Sequence, residues 1–192
     1  MAMYSYSKTL FILIVSLLLT SCSVAAPKPT LEQHEAAIYS FLLDRNPEKH
    51  SYITGTPIVI SGETEYYDVD KELLARFFPT LEETTFEDYQ KSNEAPHTID
   101  LPLTSSTSYI LVSRSELDDL IEYGNWEKFN QKYPETHGVV FFSKIGFNKE
   151  GTQALVFMGY SCGGECGIGN IYLFDFNGTE WQMKRYEQIW IS

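Results

Sequence analysis

The sequence predicts an α+β fold, with helices packed on a C-terminal four-stranded antiparallel meander. Two patterns predict it. Apolar residues recur at helical spacing through the first two-thirds of the chain, and from Gly138 onward the period becomes two, with turn residues arriving at hairpin intervals. The strands of the last third carry apolar side chains on both faces, Leu155 and Phe157 against Val156 and Met158. Helices from the earlier part are therefore expected to cover one of those faces.

The chain opens on an export signal. Lys8 supplies a positive flank and Thr9 to Leu19 an apolar run, closed by Thr20, Ser21 and Ser23. That run is shorter than the roughly 20 apolar residues needed to span a bilayer. Leu19-Thr20-Ser21 followed by Cys22 resembles the lipobox of bacterial lipoproteins, in which the cysteine thiol takes a diacylglycerol before cleavage. Ordinary cleavage after Ala25 or Ala26 is the rival, and Pro27 opposes the second of these sites. The expected organisation is a signal peptide at 1–21, a lipidated Cys22 with a tether to residue 30, and one domain at 31–192. Two or more acyl chains hold a protein stably on a membrane. The expected location is thus the cell envelope, anchored and facing the periplasm or exterior, with a soluble periplasmic or secreted protein as the alternative.

Each element of the domain has a local reason. Thr30 and Gln33 hold the positions of a capping box, so a helix is expected from Leu31 to Leu43 with Ala37, Ile38, Phe41 and Leu42 inward. Thr56 to Ile60 reads as a short buried strand, Asp68 to Phe78 as a helix stopped by Pro79, and Thr85 to Lys91 as a weaker helix. A Pro, Thr and Ser-rich loop spans 93–106, followed by a strand at Tyr109 to Val112. Ser113 and Glu116 form a second capping box, for a helix with Leu117, Leu120 and Ile121 inward. Asn125 to Lys132 adds a short helix with Trp126 and Phe129 on one face. Four strands are expected at Val139 to Phe147, Thr152 to Tyr160, Asn170 to Phe176 and Glu180 to Ile191, with Asn177-Gly178 as a two-residue turn.

Composition excludes more than it assigns. The whole chain carries a formal charge of −12; without the signal, 26 acidic residues face 13 basic ones, giving −13. Nucleic acid is therefore not an expected partner, because phosphate binding needs a basic surface. The expected partners are the membrane, through the lipid, and an envelope protein, peptide or glycan.

The most unusual stretch of the mature chain is Tyr160 to Gly169, which holds Cys162, Cys166 and four glycines. In an oxidising compartment the two cysteines are expected to form a disulfide, with the glycines supplying positive φ. Ser161, Gly163, Gly164, Glu165 and Gly167 complete this candidate functional loop. Redox chemistry is the sharper alternative, but thiol oxidoreductases place Cys-x-x-Cys at a helix start, and here the spacing is Cys-x-x-x-Cys before a strand. Gly159 to Gly163 matches Gly-x-Ser-x-Gly, yet the context lacks the strand-to-helix turn and the later histidine a hydrolase needs. His34, His50, His97 and His137 stand alone in sequence, so no metal set is expected. Asp68-Val69-Asp70 opens like a calcium loop, but Leu73 replaces its glycine and Pro79 stands where its glutamate belongs. No cofactor motif and no catalytic residue is identified.

Three stretches carry a resemblance. Trp126-x-x-Phe129-x-x-x-Tyr133-Pro134, Phe142-Ser143-Lys144-Ile145-Gly146-Phe147, and Gln153-Ala154-Leu155-Val156 running into Cys162-Gly163-Gly164-Glu165-Cys166-Gly167 resemble a family of uncharacterised bacterial exported proteins, many read as lipoproteins. Such chains end in a hairpin and a closing tryptophan strand, here Trp181 to Trp190. The resemblance implies fold and location and supplies no activity. The function expected from the sequence is a non-catalytic envelope binding or structural module. The alternative is a small envelope enzyme, of thiol/redox or hydrolytic type, centred on the Cys162–Cys166 loop.

Overall fold

The computed structural model describes residues 29–44, 57–136 and 138–192. The segment expected to be an export signal, Cys22, most of the expected tether, His50 and His137 lie outside them. The described elements are α1 (Leu31–Asp44), β1 (Ile58–Ser61), α2 (Lys71–Phe77), α3 (Glu83–Ser92), β2 (Tyr109–Val112), α4 (Arg114–Leu120), α5 (Glu127–Lys132), β3 (Val139–Phe142), β4 (Gly146–Phe147), β5 (Gln153–Gly163), β6 (Cys166–Phe176) and β7 (Trp181–Ile191). No helix among the described residues is long and apolar enough to cross a membrane.

The fold is α+β, and its sheet is larger than a four-stranded meander. Seven strands form one mixed, mostly antiparallel sheet in the order β2-β1-β3-β5-β6-β7, with β4 paired to β5. The two early strands join the β3 edge: β1 runs parallel to both β2 and β3. All four residues of β1 are buried, as a strand covered on both faces requires. Its pairing of Ile58 with Tyr109 and Val59 with Val139 is long-range, so no local period announces it.

The expected strand from Val139 to Phe147 is interrupted. Phe142 pairs with Met158 and Gly146 with Leu155, which leaves Ser143 to Ile145 opposite only two residues of β5, a bulge of one extra residue. The displaced backbone is satisfied by side chains. Tyr39 donates its hydroxyl to the Ser143 carbonyl at 2.8 Å, and Asn93 takes the Lys144 N–H at 2.8 Å while donating to its carbonyl at 3.0 Å.

Helices cover both faces of the sheet rather than one. On the first, Ile38, Tyr39 and Leu42 of α1 pack with Ile60, Phe142, Val156 and Phe174. On the second, Leu74 of α2, its C-cap Phe78, and Phe86 and Tyr89 of α3 pack on Leu155, Phe157, Ile171 and Leu173, while Leu117 and Phe129 of α4 and α5 pack on Val59, Val112 and Val139. Val139 and Phe141 are two apart on β3 and so share a face, which puts both helical pairs on the same side. β5, with Gln153 to Tyr160 all buried, is the centre of this three-layer core.

The Thr30–Gln33 capping box forms in full, and at Ser113–Glu116 only the serine half forms, because the Glu116 carboxylate turns to Lys132 and Tyr133. Thr30 N–H donates to Gln33 Oε1 at 2.8 Å and Gln33 N–H to Thr30 Oγ1 at 3.3 Å; Ser113 Oγ accepts from the Glu116 N–H at 3.3 Å. Asp70 caps α2 by accepting from the Leu73 N–H at 2.9 Å, so it serves a helix start, while Asp68 Oδ1 accepts from the Tyr66 hydroxyl at 2.9 Å. The inward face of α1 is rotated from expectation: Ala37 is exposed, and Glu35 and Tyr39 are buried. Asn177 and Gly178 sit in a four-residue turn between Phe176 and Trp181, in which Gly178 alone takes positive φ and Asn177 Oδ1 accepts from the N–H groups of Thr179 and Glu180.

Candidate functional site

The cysteine segment is a hairpin tip. β5 and β6 extend past their expected ends, pairing Ser161 with Gly167 and Gly163 with Cys166, with Cys162 at the register shift between them. Gly164 and Glu165, both exposed, form the two-residue turn. Cys162 and Cys166 are joined as a disulfide with their Cα atoms 5.1 Å apart.

The glycines here do not serve the purpose the sequence suggests. Gly163, Gly164, Gly167 and Gly169 all have ordinary φ. Two of them instead admit an aromatic ring. A Cβ on Gly169 would lie 2.1 Å from Trp190 Nε1, and one on Gly167 would lie 2.9 Å from the same indole, so Trp190 of β7 lies flat across the glycine pair on β6.

This geometry bears on the candidate chemistry. Joined sulfurs present no thiolate, and thiolate is the nucleophilic form. Ser161 has strand on both sides, without the strand–turn–helix that exposes a hydrolase serine. Its side of β5 faces a crevice of about 220 Å³ between α4 and the sheet, floored by Ser61, Val139, Phe141 and Ser161 and walled by Leu117, Ile121 and Trp126. Glu65, Arg114 and Asp118 close its rim, where Arg114 Nε donates to Asp118 Oδ1 at 2.9 Å and Nη1 to Glu65 Oε1.

A larger groove, of about 850 Å³, lies at the opposite end of β5, bordered by the first turn of α1, by α3, and by the turns before β5 and before β7. Leu31, Phe147 and Phe176 give it apolar surface; Glu87, Asp88, Lys91, Lys149 and Glu150 give it charge of both signs. Its walls are held from below. Asp88 Oδ2 accepts from the Phe147 N–H at 2.8 Å, and Asn148 Oδ1 accepts from the N–H groups of Thr152 and Gln153 at 2.7 and 2.9 Å.

His34 lines the groove and is tied to the sheet. The Trp181 Nε1–H donates to His34 Nδ1 at 2.9 Å, and the imidazole meets Phe176 and Trp181 edge-on at 5.0 and 5.3 Å. Accepting at Nδ1 requires the neutral ring with its proton on Nε2. Burial also lowers the His34 pKa from its ordinary value. Sequence reading left His34 isolated, because Trp181 is 147 positions away and no local spacing joins them. Among the described residues no three His, Cys, Asp or Glu side chains gather as a metal site. No protein-family model, curated protein or solved structure matches the chain.

Proposed function

We propose that this protein is a lipid-anchored module of the bacterial envelope that binds an extended protein or peptide segment and performs no chemistry of its own. The groove beside α1 is the observation that carries the reading. Its lining combines apolar side chains with charges of both signs, which complements a polypeptide better than a lipid tail or a polyanion. Pro29 and Leu31 belong to its border, so a tether of eight residues from Ser23 to Thr30 would hold it within about 27 Å of the acylated Cys22. The lipobox and the motif resemblance at 126–134, 142–147 and 153–167 support the same exported class. The rival thiol-enzyme reading has no free nucleophile when Cys162 and Cys166 are joined.

A photo-crosslinking residue at Lys149, in the groove, tests this against the same residue at Glu72 on exposed α2. The expected outcome is a discrete adduct from position 149 alone, lost when Phe176→Glu is added. Equal adducts from both positions, or none from either, would contradict the proposal.

A further inference from the structure

The crevice that Ser161 faces is separate from the groove, and its chemistry selects a different ligand. We infer that it is a subsite for one neutral sugar ring.

Charge comes first. The rim holds Glu65 and Asp118 against the single guanidinium of Arg114, a local balance of −1 on a strongly acidic protein, so a free anion is repelled. A free cation is not strongly drawn either, since both carboxylates already hold Arg114. A neutral, hydrogen-bonding ligand meets neither obstacle.

The unused hydrogen-bonding capacity has a matching pattern. Arg114 uses Nε and Nη1 on its two carboxylates, which fixes the plane of the guanidinium and leaves the Nη2 donors for a ligand. Each carboxylate uses one oxygen on Arg114, leaving Glu65 Oε2 and Asp118 Oδ2 as acceptors, and the Ser161 hydroxyl adds a group that both donates and accepts. Alternating fixed donors and acceptors suit neighbouring hydroxyls, each of which donates and accepts. A carboxylate or phosphate would use only the donors.

The walls agree. Trp126, Phe141, Leu117 and Val139 give an apolar and aromatic lining, which suits the C–H face of a pyranose, and about 220 Å³ admits one ring and little more. The turn joining Ile121 to Trp126, both crevice residues, carries Tyr123, which is 99% exposed and held at φ 52°. A bulky residue in the left-handed region is uncommon, and such strained positions cluster at binding and active sites.

Saturation-transfer NMR on the full chain, kept in a sugar-free detergent, tests the inference with N-acetylglucosamine as probe and glycine as the zwitterionic control. The expected result is transfer from the sugar and none from glycine, with a dissociation constant on the order of 1 mM, which ordinary ligand efficiency gives a ring of that size. Asp118→Ala removes an exposed acceptor without touching the core and is expected to weaken binding about tenfold. Ser161→Leu fills the floor and is expected to abolish the transfer. Transfer insensitive to both variants, glycine binding in place of sugar, or no transfer to sugar at all would each overturn it. Because Lys149 and Phe176 lie outside this crevice, failure here leaves the crosslinking result for the groove standing on its own.

Discussion

Glu35 and Lys144 are unequal partners in the ion pair that fastens α1 to the bulge between β3 and β4. Their side chains meet at 2.7 Å, with Glu35 3% and Lys144 29% exposed, and Glu35 Oε1 has no hydrogen-bond partner among the described residues. Burial raises the Glu35 pKa from its ordinary value even though Lys144 works to lower it. Removing either charge therefore has different consequences. Lys144→Met leaves a buried carboxylate unpaired and is expected to cost about 3 kcal/mol at pH 7, whereas Glu35→Gln is expected to cost about 1 kcal/mol or less. The sign with pH follows. A carboxyl whose pKa is higher folded than unfolded binds more protons in the native state, so stability rises as pH falls through the folded value. Urea titrations of Lys144→Met should show its deficit shrinking toward the ordinary glutamate range, and a pH-independent deficit would contradict this assignment. A second contrast concerns glycine. A Cβ on Gly146 would sit 2.3 Å from the Tyr89 backbone nitrogen, while one on Gly164 meets nothing within 4 Å. Gly146→Ala should cost about 2–3 kcal/mol and Gly164→Ala less than about 0.5; similar midpoints in a denaturant series would refute the close approach of α3. At this scale the sequence is legible where a group's partner is three residues away, as for Thr30 with Gln33 and Ser113 with Glu116. It is silent on Glu35 and Lys144, 109 positions apart, because nothing local marks a buried glutamate.

Among the elements, the β5–β6 hairpin combines three devices: a disulfide at its tip, a register shift at Cys162, and Trp190 laid over Gly167 and Gly169. The chain-entropy value of a five-residue ring is about 2 kcal/mol. Replacing Cys162 and Cys166 together by alanine should lower the melting temperature by about 4–8 °C for a domain of this size and leave the sheet intact by circular dichroism. No shift in melting would show that the ring constrains nothing, and loss of the whole sheet would show that it does more than staple the tip. β7, at one end of the sheet, carries two register shifts and the charges Lys184, Arg185 and Glu187, devices that discourage further strands from adding to an edge. The helices and the last three strands can be read from period and turn chemistry because each uses contacts within a hairpin or a turn. The bulge at Ser143 to Ile145 cannot, since Tyr39 and Asn93 satisfy its backbone from across the fold. Nor can the room for Trp190: glycine in a turn-rich stretch suggests positive φ, and only the opposing strand reveals that the missing side chain is what matters.

The whole molecule is a three-layer α+β domain with a groove at one end of its central strand and a stapled hairpin at the other. The sequence holds the fold class, because apolar residues on both faces of β5 and β6 demand cover. It does not hold the number of strands that share one sheet or the second helical layer, because β1 and β2 enter the sheet through parallel pairings made over tens of residues, and the connections that follow each of them carry α2 to α5 to the face opposite α1. The same distinction governs function. The proposed address rests on four contiguous residues, Leu19 to Cys22, whereas the groove and the crevice are assembled from α1, α3, α4 and the ends of several strands. An anchored binding module predicts that location depends on one atom, the Cys22 sulfur. Fractionation of cells expressing the full chain or Cys22→Ala measures this most directly. The native chain should be membrane-bound and carry radiolabelled palmitate, and the variant should be unlabelled and absent from the processed membrane fraction. Unlabelled native protein, or a variant cleaved and retained on the membrane like the native chain, would contradict it.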